Sequence, residues 1–332
     1  MAGASGTVSV SSSVELAVVE RSGFVESRHA GAAIVLDPEG VPLLTLGDTE
    51  TAILPRSSLK PLQAVAYSSA GAALEGQRLA LSSASHSGTD RHVGVIRSIL
   101  DTAGLGESDL QCPPAWPADR ATREQQMREQ GQPSRIRMNC SGKHAAMLLT
   151  CVANGWDTAT YLDPAHPLQL HIRDVIERLT GARIAATAID GCGAPVHAMT
   201  LSALGRAIHR IGTSSERSPF ALHRTGGMLV RAVRENPWAI DGPGGQDTIA
   251  MERLGVFAKG GAEGVQVMVA PNGATVALKV LDGGDRAKAA IALTLLARVG
   301  ALPADQVNAA MAELPLTISG GGKVVGSIRP TV

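Results

Sequence analysis

Arg56-Ser57-Ser58-Leu59-Lys60-Pro61 places a serine hydroxyl three residues ahead of a lysine amine. Residues three apart share one face of a helix, so the two groups meet if this stretch is helical. Pro61 lacks a backbone N–H and fits only in a helix's first turn. The spacing therefore predicts a helix that starts at Ser57 or Ser58 and runs through Leu62-Gln63-Ala64-Val65-Ala66 to about Ser69. Ser57 then lies at a helix N-terminus, where partial positive charge favours a developing anion. A serine attacks a carbonyl only when a base takes its proton, and a neutral lysine is such a base. S-x-x-K is a short pattern that also recurs by chance. Its weight depends on the elements around it.

Outward from that helix, turn chemistry marks the strands. Val14–Val19 and the apolar run Gly31–Leu36 read as strands. Asp37-Pro38-Glu39-Gly40 is a turn that brings Val41–Leu46 back as a hairpin partner. Near the other end, Val256–Ala258, Val265–Ala270 and Thr275–Val280 read as strands, the last two joined by the hairpin signal Asn272-Gly273. Val324–Ile328 is expected to close the chain as an edge strand. Helical periods fill the middle: from Asp90 through Leu100, Thr122–Gln130, Asn139 through Val152, Pro167–Leu179, Leu201–Ile211, and Pro219–Glu235 with Ser218 as N-cap. Asp241–Gln246 reads as a glycine-rich loop, and Asp285–Val299 and Asp305–Leu314 as further helices. The expected architecture is α/β (α+β): one unit, residues 14–332, after a flexible leader over 1–13. Its sheet lobe takes residues of about 14–80 and 250–332, with a helical insertion over about 85–245.

Composition excludes several classes. The 332 residues carry 30 Lys+Arg against 30 Asp+Glu, so there is no basic excess for a nucleic acid or an acidic membrane. No apolar run is long enough to span a bilayer, and the small, polar N-terminus has no signal-peptide pattern. Four cysteines in so long a chain do not make a disulfide scaffold, which points to a cytoplasmic, reducing compartment. Apolar residues make up 44% but aromatics only 2%, so the core must be built from Ala, Val, Leu and Ile.

Four polar clusters lie beside glycines: Ser57/Lys60; Ser85-His86-Ser87; Cys140, Lys143 and His144 with Asp190 and Cys192; and Lys259-Gly260-Gly261. Glycines beside reactive groups let a substrate or another backbone come close. Taken singly, each cluster also has a structural reading. The serines suit a local turn, Cys140 and Cys192 suit small buried hydrophobes, and His86 and His144 suit packing histidines. Together, their order resembles the penicillin-recognising serine enzymes: S-x-x-K, then a serine element, then a lysine-glycine strand. Gly260 stands where that superfamily has threonine or serine, and the second element lacks its asparagine.

A closer resemblance covers nearly the whole chain. Arg56-Ser57-x-x-Lys60-Pro61, Ala84-Ser85-His86-Ser87-Gly88, Asn139-Cys140-Ser141-Gly142-Lys143-His144, Asp190-Gly191-Cys192-Gly193-Ala194-Pro195 and Ala258-Lys259-Gly260-Gly261-Ala262-Glu263-Gly264 are similar to the bacterial L-asparaginase II family of the Rhizobium etli type. So are Val19–Gly23, Val25–Gly31 and the closing Val325–Pro330. The resemblance implies an L-asparagine amidohydrolase with a serine β-lactamase/penicillin-binding-protein-like fold, acting as a homodimer. It implies the Ser–Lys pairs Ser57/Lys60 and Ser85/Lys259, and a zinc site on Cys140, Lys143 and Cys192 with no organic cofactor. Arg56, His144, Asp190 and Gly260 would bind substrate around them. Thr89 and Pro113 depart from the family pattern, which has glutamate and glycine there, and neither touches a motif residue.

In that assignment Ser57 attacks, Lys60 takes its proton, and Ser85 relays a proton with Lys259. The exchange of Ser57 and Ser85 between these roles stays open. A glutaminase or a β-lactam-type acylase with the same pairs is the nearest alternative. A non-catalytic amino-acid-binding regulator is the alternative from another class, and it has no need of paired bases.

Overall fold

The computed structural model describes residues 6–332. In chain order its first elements are β1 (Val14–Arg21), β2 (Phe24–Leu36), β3 (Pro42–Leu46), β4 (Ala52–Ile53), α1 (Lys60–Ser69), α2 (Gly76–Ser82), α3 (Asp90–Ala103), α4 (Arg120–Arg128), α5 (Ser141–Asn154) and α6 (Pro167–Thr180). There follow β5 (Ala186–Ile189), β6 (Pro195–Thr200), α7 (Leu201–Gly212), α8 (Ala221–Glu235), α9 (Trp238–Asp241) and α10 (Gln246–Leu254). The chain ends with β7 (Phe257–Gly261), β8 (Val265–Val269), β9 (Thr275–Val280), α11 (Lys288–Arg298), α12 (Ala304–Met311), β10 (Thr317–Gly320) and β11 (Lys323–Pro330). No helix among the described residues is long and apolar enough to cross a membrane.

Two compact units divide these elements. The first runs to Ser58, takes in Ala198–His209, and resumes from Ile249 to Val332. It holds a mixed sheet-and-helix fold on an antiparallel sheet in the order β10-β11-β1-β2-β9-β8-β7, with β3 also paired to β2. The sheet thus joins N-terminal to C-terminal strands, as expected. β8 and β9 are buried at every position. A strand covered on both faces reads as a near-continuous apolar run. Gly205 of α7 allows one helix to approach: a Cβ there would stand 3.3 Å from Ile34 Cγ2 and 3.6 Å from Ala277 Cβ. α11 packs on β8 and β9.

Turn chemistry sets the hairpins. Asp37 Oδ1 accepts the N–H groups of Glu39 and Val41 at 3.0 and 2.8 Å, and Gly40 N–H bonds Asp37 O at 3.0 Å. Between β8 and β9, Gly273 holds φ +98° and Asn272 Oδ1 accepts Ala274 N–H at 3.0 Å.

Several expectations change. β11 is not an edge strand: it lies between β10 and β1, and β10 is the edge. The leader expected over 1–13 falls outside the described residues for 1–5. Of the rest, Val8 is buried and Ser12 O accepts Asp48 N–H at 2.9 Å, while Val10 and most of its neighbours are exposed. The N-terminal stretch of the first unit ends at Ser58. Ser218 does not cap α8. Phe220 is its N-cap, and the Ser218 hydroxyl accepts Phe220 N–H one step earlier. The loop between Asp241 and Gln246 is flanked by α9 and α10, too short and too weakly periodic to be seen in the sequence.

The second unit comprises Leu59–His197 and Arg210–Thr248. α1 is its central helix and packs on α5, α6 and α8. Every residue from Lys60 to Tyr67 is buried. A helix buried all round is normally apolar all round, so Lys60 and Tyr67 stand out as polar side chains in a core position. α5 is likewise buried continuously from Ser141 to Cys151.

Candidate active site

In the first unit, Ser57 lies in a 3-10 turn, Arg56–Leu59, that leads directly into α1. The helical run thus begins one residue earlier than expected, with Pro61 in the first α-helical turn. Arg56 adopts φ +52°, an unusual value for a residue with a Cβ. Glu263, in the β7–β8 turn, has φ +60° and lies 3.8 Å from the Arg56 guanidinium. Such strained positions cluster at functional sites. The end of β7 abuts the Ser57 turn: a Cβ on Gly261 would stand 2.6 Å from Pro55 O and 3.1 Å from Ser58 N. Only glycine tolerates that approach. On the same strand, Lys259 is buried, and its Nζ donates to Gly260 O at 2.6 Å.

The second unit holds the other candidates. Lys60 is 1% exposed, and a buried ammonium or amine needs partners. Its Nζ donates to Ala84 O at 2.5 Å and to Ser85 Oγ at 2.9 Å. The direct Ser–Lys contact within this unit is therefore Lys60 with Ser85. Of the pairs expected from the resemblance, Ser57/Lys60 and Ser85/Lys259 each take one member from each unit. The Ser85 loop is held by its backbone, with Ser85 N–H on Ile240 O at 2.9 Å and His86 N–H on Asn139 O at 3.2 Å. His86 Nδ1 accepts Gly88 N–H at 3.1 Å, so a neutral ring donates from Nε2 to Ser141 Oγ, 2.9 Å away. Burial, then His92 and Lys60, hold His86 well below the usual imidazole range.

Cys140, Lys143 and His144 come together at the start of α5, and Asp190 and Cys192 join them from the turn after β5. Gly193, at φ +86°, closes that turn with a bond from its N–H to Asp190 O at 2.9 Å. Lys143 Nζ donates to Cys192 Sγ at 3.1 Å, and Cys192 Sγ lies 4.0 Å from Asp190 Oδ2. A hydrogen bond from the Cys140 thiol and the Lys143 ammonium draw Cys192 below the usual thiol range, against burial. Giving that bond, together with burial, raises Cys140. Burial would lower Lys143, but Cys192, Cys140 and Asp190 outweigh it and raise it. Lys143 and Cys192 thus form a buried pair in which each favours the charged form of the other. Two sulfurs and an amine converge here as a donor set that suits zinc, once Lys143 gives up its proton. Among the described residues, no group of three or more His, Cys, Asp and Glu side chains is arranged to hold a metal ion.

Two residues of this cluster are not singled out by the sequence: Tyr67 and Tyr161. The chain has only two tyrosines, and both are fully buried. Their scarcity in a core otherwise built from aliphatic residues was the available signal. Tyr67 Oη and His144 Nε2 are buried with no hydrogen-bond partner among the described residues.

The family model described as L-asparaginase II matches residues 17–330. No curated protein gives a match. Among solved structures, one described as Mglu is 12% identical, with a TM-score of 0.47, covering 83% of this chain and 68% of that one. For a further structure of Mglu the covered share is 60% of its chain. A β-lactamase (Mb2281c) from Mycobacterium bovis is 15% identical over 81% of this chain and 94% of its own, TM-score 0.40. A Bacillus glutaminase is 12% identical over 82% and 92%, TM-score 0.43.

Proposed function

We infer that this chain, which belongs to the L-asparaginase II family, hydrolyses the side-chain amide of L-asparagine to aspartate and ammonia through its Ser–Lys pairs. The observation that carries the catalytic assignment is Lys60 Nζ, buried and 2.9 Å from Ser85 Oγ, three residues after Ser57. Ser57 Oγ attacks the amide carbonyl carbon while Lys60 takes its proton. The oxyanion forms beside backbone N–H groups at the start of the helical run and at Gly260-Gly261. Lys60 returns the proton through the Ser85 hydroxyl to the departing nitrogen, the C–N bond breaks, and ammonia leaves. Water then opens the acyl ester, its proton passing to the same base. Lys259 is assigned with Ser85 to this proton transfer, and Arg56, His144, Asp190 and Gly260 to substrate binding.

Zinc is assigned to Cys140, Lys143 and Cys192. When bound, it would supply positive charge that polarises or orients a substrate oxygen. The chain is assigned as a homodimer on the family resemblance, and light scattering at micromolar concentration tests it. A cytoplasmic location accords with four free cysteines, and cell fractionation tests that.

The deciding experiment is ammonia release from L-asparagine by wild type beside Ser57→Ala and Ser85→Ala, with L-glutamine and a chromogenic β-lactam as competing substrates. Wild type should prefer asparagine, and Ser57→Ala should lose turnover while remaining folded. A folded Ser57→Ala protein with wild-type rates would remove Ser57 as nucleophile, and a preference for glutamine or the β-lactam would change the substrate.

A further inference from the structure

His144 sits in the first turns of α5, fully buried, with its ring edge-on to Tyr161 at 5.7 Å between centroids. Its Nδ1 lies 2.7 Å from Tyr161 Oη. Which atom supplies the hydrogen follows from counting. A tyrosine hydroxyl has one hydrogen to give. Tyr161 Oη already accepts Gln111 N–H at 3.0 Å. Among the described residues, His144 Nδ1 is its other partner, so the only acceptor for the tyrosine hydrogen is Nδ1. The imidazole then carries its own hydrogen on Nε2. That Nε2 has no hydrogen-bond partner among the described residues. A buried N–H without a partner is unfavourable, a cost the fold sustains where a ligand supplies the acceptor.

Tyr161 is itself held rigidly. Gln169 Nε2 donates to Tyr161 O at 2.7 Å, and Gln111 Nε2 donates to Ala159 O at 2.7 Å. Gln111 thus holds the Tyr161 hydroxyl through its backbone and the nearby Ala159 carbonyl through its side chain. Burial raises the Tyr161 hydroxyl above the usual phenol range, so it keeps the hydrogen it donates.

We propose that Tyr161 is a positioning residue that locks His144 as an Nε2–H donor, and that this hydrogen binds a carbonyl or carboxylate oxygen of the amino-acid amide substrate. An Nε2–H donor cannot serve as a base, so His144 orients the substrate and takes no proton from it. The inference rests on the amidohydrolase reading above.

Three full-length variants test it by steady-state ammonia release from L-asparagine: Tyr161→Phe, His144→Gln and His144→Asn. A glutamine amide N–H falls near the place of Nε2, whereas an asparagine amide mimics only Nδ1. The expected result is a fall in kcat/KM of about 100-fold for His144→Asn and about 10-fold for Tyr161→Phe, with His144→Gln within a few-fold of wild type. L-Aspartate binding by calorimetry should weaken in the same order. A purely structural role would make the glutamine and asparagine variants equally poor, and that result overturns the proposal. So does Tyr161→Phe with unchanged kcat/KM. If Tyr161→Phe does not fold, the two His144 variants decide. A wild type that releases no ammonia from asparagine overturns the amidohydrolase reading and this inference with it. An active wild type matched by His144→Asn overturns this inference alone.

Discussion

Glycine-to-alanine exchange at two helical positions of the second unit should change stability in opposite directions. Gly142 is the second residue of α5, between Cys140 and Lys143. A Cβ there would stand 2.5 Å from Leu81 O and 3.0 Å from Leu81 Cγ. Leu81 is a buried residue of α2, and its carbonyl cannot rotate away as a flexible side chain would. Gly94 lies inside α3, exposed, and a Cβ there would meet nothing within 4 Å. In both variants alanine gains about 1 kcal/mol of helix propensity over glycine, partly through the unfolded chain. At Gly94 nothing opposes that gain. At Gly142 the added Cβ meets a backbone carbonyl, so overpacking costs the upper part of its usual range, about 2–3 kcal/mol, leaving a net loss of about 1–2 kcal/mol. A body of this size melts about 2–4 °C lower per kcal/mol lost. Gly94→Ala should therefore melt a few degrees above wild type and Gly142→Ala several degrees below, read by far-ultraviolet circular dichroism. Because α5 carries Cys140 and Lys143, Gly142→Ala should also lose catalytic efficiency, whereas Gly94→Ala should not. A Gly142→Ala protein as stable as wild type would refute the α2–α5 contact as described.

Lys60→Met keeps side-chain volume but removes the amine from Ala84 O and Ser85 Oγ. Ammonia release should fall by about 10²–10⁴-fold, and adding Ser57→Ala should cost little more, because the groups act together. In urea unfolding, stability should be lost as pH falls from about 6.5 to about 4. Burial lowers His92 and His197 to about 4, so the unfolded chain binds protons first, and each histidine contributes at most about 1.4 kcal/mol per pH unit. Equal stability at the two ends of that window would count against neutral buried histidines. Elemental analysis should find zinc in wild type and in Cys151→Ala, but not in Cys192→Ala. Cys151 is a core thiol that burial pushes up to about 12, whereas Cys192 is paired with Lys143.

Local chemistry made much of the fold legible. The Asp37–Gly40 and Asn272-Gly273 turns could be read because each needs particular residues at particular backbone angles, and those needs are met within a few residues. The long helical periods at Asp90, Pro167 and Leu201 could be read for the same reason. Position within the sheet could not. Val324–Ile328 has the short, partly exposed look of an edge strand, yet β10, a four-residue strand with no clear period, lies outside it. Short elements such as α9 and β10 hold their shape through packing, so their residues carry little pattern.

The site shows the same division. The three-residue spacing of Ser57 and Lys60 on a helical run is a local property, and the sequence alone determines it, as it does the presence of Cys140 and Lys143 on the next such turn. The partners of those groups belong to the tertiary structure. Lys60 meets Ser85, 25 residues away, and Lys143 meets Cys192, 49 residues away. Each contact forms only because α1 and α5 are buried against one another and loops close over their starts. Tyr161 is the extreme case. A single tyrosine in a turn-rich segment has no period and no motif. Its role is set by one hydrogen, and the direction of that hydrogen depends on Gln111 and His144, which only the folded chain brings to it.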